Sequence, residues 1–143
     1  MLVSEAMSAD VRAARPDHTI QQAARVMSDN DVGALPVVAE ERLIGMITDR
    51  DIALRAVGVG KGPQTPVRDV MTEGVKYCFD DDDIERVSRH LRGQQVRRLP
   101  VVNHDKQLVG MLSLADAALI YGAQSAGPIV EAILRPGGLR RLR

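Results

Sequence analysis

Apolar residues in this chain follow one order twice. Val3, Met7, Val11, Ile20, Val32 and the run Leu35-Pro36-Val37-Val38 return as Val67, Met71, Val75, Ile84, Val96 and Leu99-Pro100-Val101-Val102, an offset of about 64 residues. After one extra residue, Leu43-Ile44-Gly45-Met46-Ile47-Thr48 and Asp51 return as Leu108-Val109-Gly110-Met111-Leu112-Ser113 and Asp116. The matches concentrate at apolar, Gly and Pro positions while the polar residues between them drift. Two copies of one folding unit produce that pattern, and a doubled unit creates a cleft that related residues face from both sides.

Within each copy the spacing predicts strand, helix, strand, strand, helix. Ile20, Ala23, Ala24 and Met27 form an amphipathic stripe, and Ile84, Val87 and Leu91 repeat most of it. Thr19 with Gln22 reads as a capping box, and Asp83 takes the cap position in the second copy. Leu35 to Val38 and Leu43 to Thr48 are short Val- and Ile-rich runs separated by Ala39-Glu40-Glu41-Arg42, the signature of a hairpin; Asn103 to Gln107 separates the corresponding runs later. A first strand near Val11 would connect through the helix to the second strand by a right-handed crossover. The expected fold class is α/β, two tandem β-α-β-β-α units packed sheet to sheet with pseudo-two-fold symmetry, burying Val37, Ile47, Val101 and Leu112 in one shared core.

The Gly- and Pro-rich stretch Gly58 to Pro66 reads as the connection, so the first unit is expected at 1–60, a linker at 61–66, the second unit at 67–122, and a C-terminal helix with a basic tail at 123–143. Gly58, Gly60 and Gly62 beside Lys61 lack the spacing of a phosphate loop and the Ser or Thr after Lys. With 45% hydrophobic residues but only 2% aromatic ones, the core must be packed from Val, Leu, Ile, Ala and Met. A net charge of +0 removes the attraction that nucleic-acid binding usually needs. No run approaches the roughly 20 apolar residues that cross a bilayer, and signal-peptide features are lacking. With Cys78 as the single cysteine, the expectation is a protein of the reducing cytoplasm.

Gly33-Ala34-Leu35-Pro36-Val37-Val38, Gly45-Met46-Ile47-Thr48-Asp49-Arg50-Asp51, Arg98-Leu99-Pro100-Val101-Val102 and Gly110-Met111-Leu112-Ser113 with Asp116 together resemble a tandem pair of cystathionine-beta-synthase (CBS) domains, often called a Bateman module. The resemblance covers residues 1 to 122; length and the Thr48-Asp49-Arg50-Asp51 string are also similar to those of stand-alone bacterial CBS-pair proteins. It implies a non-catalytic regulatory module that binds an adenosine-containing ligand such as AMP, ADP, ATP or S-adenosylmethionine between its units, with no required cofactor. An Asp carboxylate can accept from ribose hydroxyls, a Thr or Ser hydroxyl can hold ribose or phosphate, and helix N-terminal amides favour phosphate. Thr48 with Asp51 and Ser113 with Asp116 have that spacing. By the same resemblance the Asp51 cleft would draw on Val75, Lys76, Val96, Arg97 and Arg98, and the Asp116 cleft on Val11, Arg12, Gly33 and Ala34. Arg50 beside Asp51, with Arg97 and Arg98, makes the Asp51 cleft the better phosphate site.

Blander readings stand beside these. Thr48 and Ser113 are good N-caps, and from spacing alone capping is the commoner role. Arg97 and Arg98 also read as solvated strand-end charges. The run Asp80 to Asp83 precedes a helix, where negative charge meets the helix dipole; as a metal site it would need ligands converging from elsewhere. His18, His90 and His104 with Cys78 have no zinc spacing, and Cys78 reads as an inert buried thiol. The basic end Arg140-Arg141-Leu142-Arg143 reads as a frayed tail behind a docked helix. Small apolar residues Ile52, Ala53, Ala56 and Val57 with Ala117, Ala118, Ile120 and Tyr121 suggest a homodimer face, and any regulated protein partner is not encoded here. The alternatives to a ligand reader are a ligand-free interaction scaffold and a metal-responsive stress protein.

Overall fold

The computed structural model describes residues 1–91 and 97–115. Its elements in chain order are α1 (Val3–Ala6), α2 (Ile20–Asn30), β1 (Ala34–Ala39), β2 (Arg42–Thr48), α3 (Asp49–Arg55), β3 (Cys78–Phe79), α4 (Ile84–His90), β4 (Arg98–Val102) and β5 (Leu108–Ser113), with 3-10 turns at Val57–Val59 and Val67–Asp69. The chain divides into two units that do not coincide with the two sequence copies. One is Arg12–Val75; the other joins Met1–Val11 to the chain from Lys76 onward.

The offset between copies and units has a physical cause: the opening segment of each copy folds onto the other copy. In the unit Arg12–Val75, the Val67 amide donates to the His18 carbonyl (2.7 Å), Arg68 to Pro16 (3.0 Å), and Ile20 to Thr65 (2.9 Å). In the other unit the equivalent bonds run from Val3 to Asp82, from Ser4 to Asp80 and from Ile84 to Met1, each 2.9 Å. Each opening segment then pairs with the last strand of its host hairpin, Thr72 with Met46 on β2 and Ser8 with Met111 on β5. The residues expected to act as a linker are therefore part of the structure, since Thr65 and Pro63 accept from the first amides of α2.

The hydrophobic clusters follow the units. Ala14, Ile20, Ala23, Met27, Leu35, Val37, Ile47, Ala56, Val67, Val70 and Met71 form one; Val3, Ala6, Cys78, Ile84, Val87, Leu91, Leu99, Val101, Leu112 and Leu114 form the other. Val37 and Ile47 are thus buried apart from Val101 and Leu112, not in one shared core. The first strand is reduced to a single parallel bridge from Ala14 to Val37 in one unit and to the two residues of β3 in the other. The helix stripes hold, except that Ala24 is exposed while Ile20, Ala23 and Met27 are buried. Thr19 and Gln22 make the expected capping box, and the Asp83 carboxylate accepts from the Arg86 amide at 3.2 Å.

Both hairpins have the expected antiparallel register and the same irregularity, between Val37 and Val38 and between Val101 and Val102. Their turns differ because the extra residue of the second copy falls there. Glu40 and Glu41 close β1–β2 in two residues, both with positive φ (52° and 68°), a conformation that Asn and Gly adopt with less strain. In the longer connection, Asn103 Oδ1 accepts from the Asp105 and Gln107 amides, each at 3.0 Å. The second helix of the first copy is α3; its counterpart, the tail and the residues from Asp116 on lie outside the described residues.

Gly45 and Gly110 let the exchanged segments come close. A Cβ at Gly45 would lie 2.6 Å from the Thr72 carbonyl oxygen, and one at Gly110 would lie 2.5 Å from Met7 Sδ and 2.9 Å from the Ser8 carbonyl oxygen. Backbone cannot yield as a side chain can, so Gly45→Ala is expected to lower unfolding free energy by about 1–3 kcal/mol. Gly62→Ala, where nothing lies within 4 Å, should leave stability nearly unchanged. Urea unfolding of the pair checks this; equal midpoints would contradict the close approach.

Candidate functional site

The turn from β2 into α3 presents Thr48, Asp49, Arg50 and Asp51. Thr48 is the N-cap of α3 with extended backbone, its Oγ1 accepts from the Asp51 amide at 2.9 Å, and Asp51 Oδ2 accepts from the Thr48 amide at 3.0 Å. Both of the expected ligand groups therefore also serve as a reciprocal capping box. The second carboxylate oxygen, Oδ1, lies 3.9 Å from Arg55 Nη1, beyond hydrogen-bond length. That guanidinium donates instead to the Met71 carbonyl (3.1 Å) and Thr72 Oγ1 (3.2 Å). The outcome is a carboxylate held rigidly at one oxygen, with acceptor capacity left on the other.

The first-turn amides of α3 are already used. The Asp49 amide donates to the Gly33 carbonyl at 2.9 Å, the Arg50 amide to Asp49 Oδ1 at 2.8 Å, and the Asp51 amide to Thr48. These three amides are thus paired within the protein, with one carbonyl, one carboxylate and one hydroxyl. A phosphate at this turn would depend on cationic side chains such as the exposed Arg50.

Gly33 and Ala34 belong to the same local structure as Thr48, through the Asp49 bond and through the Ala34–Thr48 register pair. A Cβ on Gly33 would meet Asp49 Oδ2 at 3.0 Å. The second copy repeats this, with the Leu114 amide donating to the Arg97 carbonyl at 3.0 Å and Arg98 registered with Ser113. So the structure joins Arg97 and Arg98 with Ser113, and Gly33 and Ala34 with Thr48 and Asp51, each set inside one unit. Asp116 and Val96 lie outside the described residues. Val11 and Arg12, and Val75 and Lys76, are the points where the chain passes from one unit to the other. Ala56, expected on an exposed dimer face, is fully buried, whereas Leu54, Val57 and Val59 are exposed.

Each unit has an open cavity between its first-strand segment, the helix that follows it (α2 or α4) and the start of its hairpin. In Arg12–Val75 the cavity is about 580 Å³, lined by Ala13, Ala14, His18, Gln22, Val26 and Leu35 among others. In the other unit it is about 520 Å³ and contains Lys76, Tyr77, Phe79, Arg86 and His90. Cys78 sits at the base of the second cavity with its thiol buried, 3.9 Å from the Pro100 carbonyl oxygen. Burial, and secondarily the Asp82 charge, push that thiol from an ordinary 9.0 up to about 12.

The acidic run divides by role. Asp82 Oδ2 accepts from the Phe79 amide at 2.9 Å, and the Arg86 amide holds the Asp83 carboxyl below its usual range. Asp81 instead meets His104, 2.7 Å from Nε2, and raises the pKa of that imidazole by hydrogen bonding and charge. Spacing along the chain carried no sign of this pair, because the hairpin brings residues 23 positions apart together.

Comparison with known proteins places the turns in context. The family model of the CBS domain matches residues 3–58 and 67–121. The chain is 41% identical over 117 residues to the CBS domain-containing protein YhcV of Bacillus subtilis, covering 82% of this chain and 83% of that protein. It is 32% identical over 135 residues to hypoxic response protein 1 of Mycobacterium tuberculosis, covering 93% and 94%. Among solved structures, Hypoxic Response Protein I with two coordinated zinc ions aligns with a TM-score of 0.75 at 31% identity, over 83% of this chain and 98% of that one. The CBS domain pair of protein MJ0100 in complex with 5-methylthioadenosine and S-adenosyl-L-methionine aligns with a TM-score of 0.73 at 26% identity, over 85% and 100%.

The thiol yields a direct test. Because the folded state holds the Cys78 proton more tightly than the unfolded state, its contribution to stability is complete below about pH 9 and is lost as pH rises toward 12. Cys78 in the native protein should therefore resist a thiol reagent at pH 8.5 and react fully in denaturant. Rapid native labelling would show the thiol to be accessible.

Proposed function

The chain belongs to the CBS domain family and carries two copies of the domain, and from that premise we propose that it is a non-catalytic regulatory module that binds an adenosine-containing ligand. The observation that carries this reading is the geometry of Asp51: one oxygen is fixed by the Thr48 amide, and the other makes no hydrogen bond within the described residues. A ribose offers two adjacent hydroxyl donors, and a pre-oriented carboxylate accepts them without paying to order itself. Ser113 and Asp116 repeat the Thr48–Asp51 spacing in the sequence of the second copy, and the adenosyl ligands bound to the domain pair of protein MJ0100 support the reading.

With its helix-start amides occupied, the Asp51 turn suits a nucleoside or sulfonium compound as readily as a nucleotide; charge for AMP, ADP and ATP would come from Arg50 in one unit and from Lys76, Arg97 and Arg98 in the other. Val75, Val11, Arg12, Gly33, Ala34 and Val96 complete the proposed binding set as backbone and apolar contacts. Ligand binding would act by favouring one state of the module or its assembly over another, through differential affinity. The exposed apolar residues Leu54, Val57 and Val59 supply the proposed homodimer contact. Among the described residues, no helix is long and apolar enough to cross a membrane.

Thermal unfolding against AMP, ADP, ATP, S-adenosylmethionine and 5-methylthioadenosine tests the ligand class, since ligand at 100 times its Kd stabilises by about 2.7 kcal/mol. Asp51→Asn keeps an acceptor for the Thr48 amide but replaces the charged oxygen, so it should stay folded and bind about 10- to 100-fold more weakly. If neither Asp51→Asn nor Asp116→Asn weakens a ligand that stabilises the parent protein, the assignment fails; if no adenosyl compound stabilises it, the scaffold reading replaces this one. Val57→Glu should shift the protein from dimer to monomer in sedimentation equilibrium, and an unchanged mass would place the contact elsewhere.

A further inference from the structure

The structure assigns a second binding site, unrelated to the adenosyl turns: we propose that Asp80, Asp81 and His104 bind one divalent transition-metal ion of the zinc class. One donor atom from each of these residues lies within 4.8 Å of the other two. They come from two places in the chain, the turn between β3 and α4 and the connection between β4 and β5, and both places are pinned by backbone bonds. The Asp80 amide donates to the Val102 carbonyl at 3.0 Å, and the Lys106 amide to the Asn103 carbonyl at 2.9 Å.

The histidine distinguishes this group from an ordinary acidic surface. Its ring lies parallel to Phe79, centroids 4.7 Å apart and planes within 7°, and Tyr77 packs edge-on against the same Phe79 at 5.8 Å. Stacking fixes the plane of the imidazole, and Nε2 points at Asp81 Oδ2 from 2.7 Å. Asp82 and Asp83 are committed to the Phe79 and Arg86 amides, so the run of four acids leaves two carboxylates facing the ring. Among the described residues, no Lys or Arg side chain pairs with either. Zinc bonds of about 2.0–2.1 Å in tetrahedral geometry hold donor atoms roughly 3.3 Å apart. The 2.7 Å pair needs to open only slightly, and side chains 67% and 60% exposed can do so by rotation. Imidazole with carboxylates selects zinc, nickel or cobalt over magnesium and calcium, which prefer oxygen alone. Bound there, the ion would clamp the hairpin tip to the β3–α4 turn, with its remaining positions filled by water.

The test is calorimetric titration of the chelator-stripped full chain with zinc chloride, beside His104→Ala, Asp80→Asn, Asp81→Asn and Asp51→Asn. The expected result is one saturable zinc site that His104→Ala weakens by no less than the roughly 10- to 100-fold cost of losing an outer-shell partner. Asp80→Asn and Asp81→Asn should weaken it too, while Asp51→Asn leaves it intact and magnesium gives no heat. The imidazole proton signals of His104 should move with the first equivalent of zinc. Metal-free thermal unfolding of His104→Ala and Asp81→Asn should stay close to the parent, because both side chains are exposed, and Asp80→Asn keeps the shape of its half-buried residue. No saturable zinc binding, or binding that His104→Ala leaves unchanged, would overturn the proposal.

Discussion

Everything in this molecule depends on the exchange of opening segments between the two sequence copies. A hairpin with one helix cannot cover its own sheet edge and apolar face; each copy is completed by Val67, Val70 and Met71, or by Val3 and Ala6, arriving from the other. The exchange is reciprocal, with the bonds of Val67, Arg68, Ile20 and Thr72 matched by those of Val3, Ser4, Ile84 and Ser8, and it requires Gly45 and Gly110, where a methyl group would strike the incoming backbone. Units of this size bury only about 60% of their unfolded surface, so borrowed apolar side chains add materially to each core.

That constraint also shapes the functional turns. β2 is held between β1 and the Thr72 segment, and Arg55 ties α3 to the same segment through Met71 and Thr72. Thr48 and Asp51 therefore sit on backbone bound from two sides. In the proposed function, capping and ligand recognition would draw on one pair of residues without conflict, because capping consumes one oxygen of Asp51 and leaves the other. The same economy pairs the Arg50 and Asp51 amides with Asp49 and Thr48.

Away from these turns, the two units have diverged in what their edges carry. Where Arg12–Val75 closes its hairpin with two strained glutamates, the other unit has a longer connection, ordered by Asn103, that lays His104 against Asp81 and Phe79. The added residue, His104 in place of Glu40 and the acidic run in place of Pro16-Asp17-His18-Thr19 go together with the imidazole over an acidic turn.

The sequence by itself determined what is local and periodic: the doubling, the hairpins, the stripe of α2, the caps at Thr19 and Asp83, the burial of Cys78 and the Thr48–Asp51 spacing. Each of these is written within a few residues, where periodicity and hydrogen-bonding capacity suffice to read it. Tertiary structure alone decided that Val3 serves the core of Ile84 and Val67 that of Ile20, that Val37 and Val101 are buried separately, that Ala24 is exposed and Ala56 buried, and that His104 meets Asp81. In two copies of one pattern, an apolar residue matches its own copy and the other equally well. The choice between them is made by chain connectivity and by the backbone bonds that only the folded chain can form.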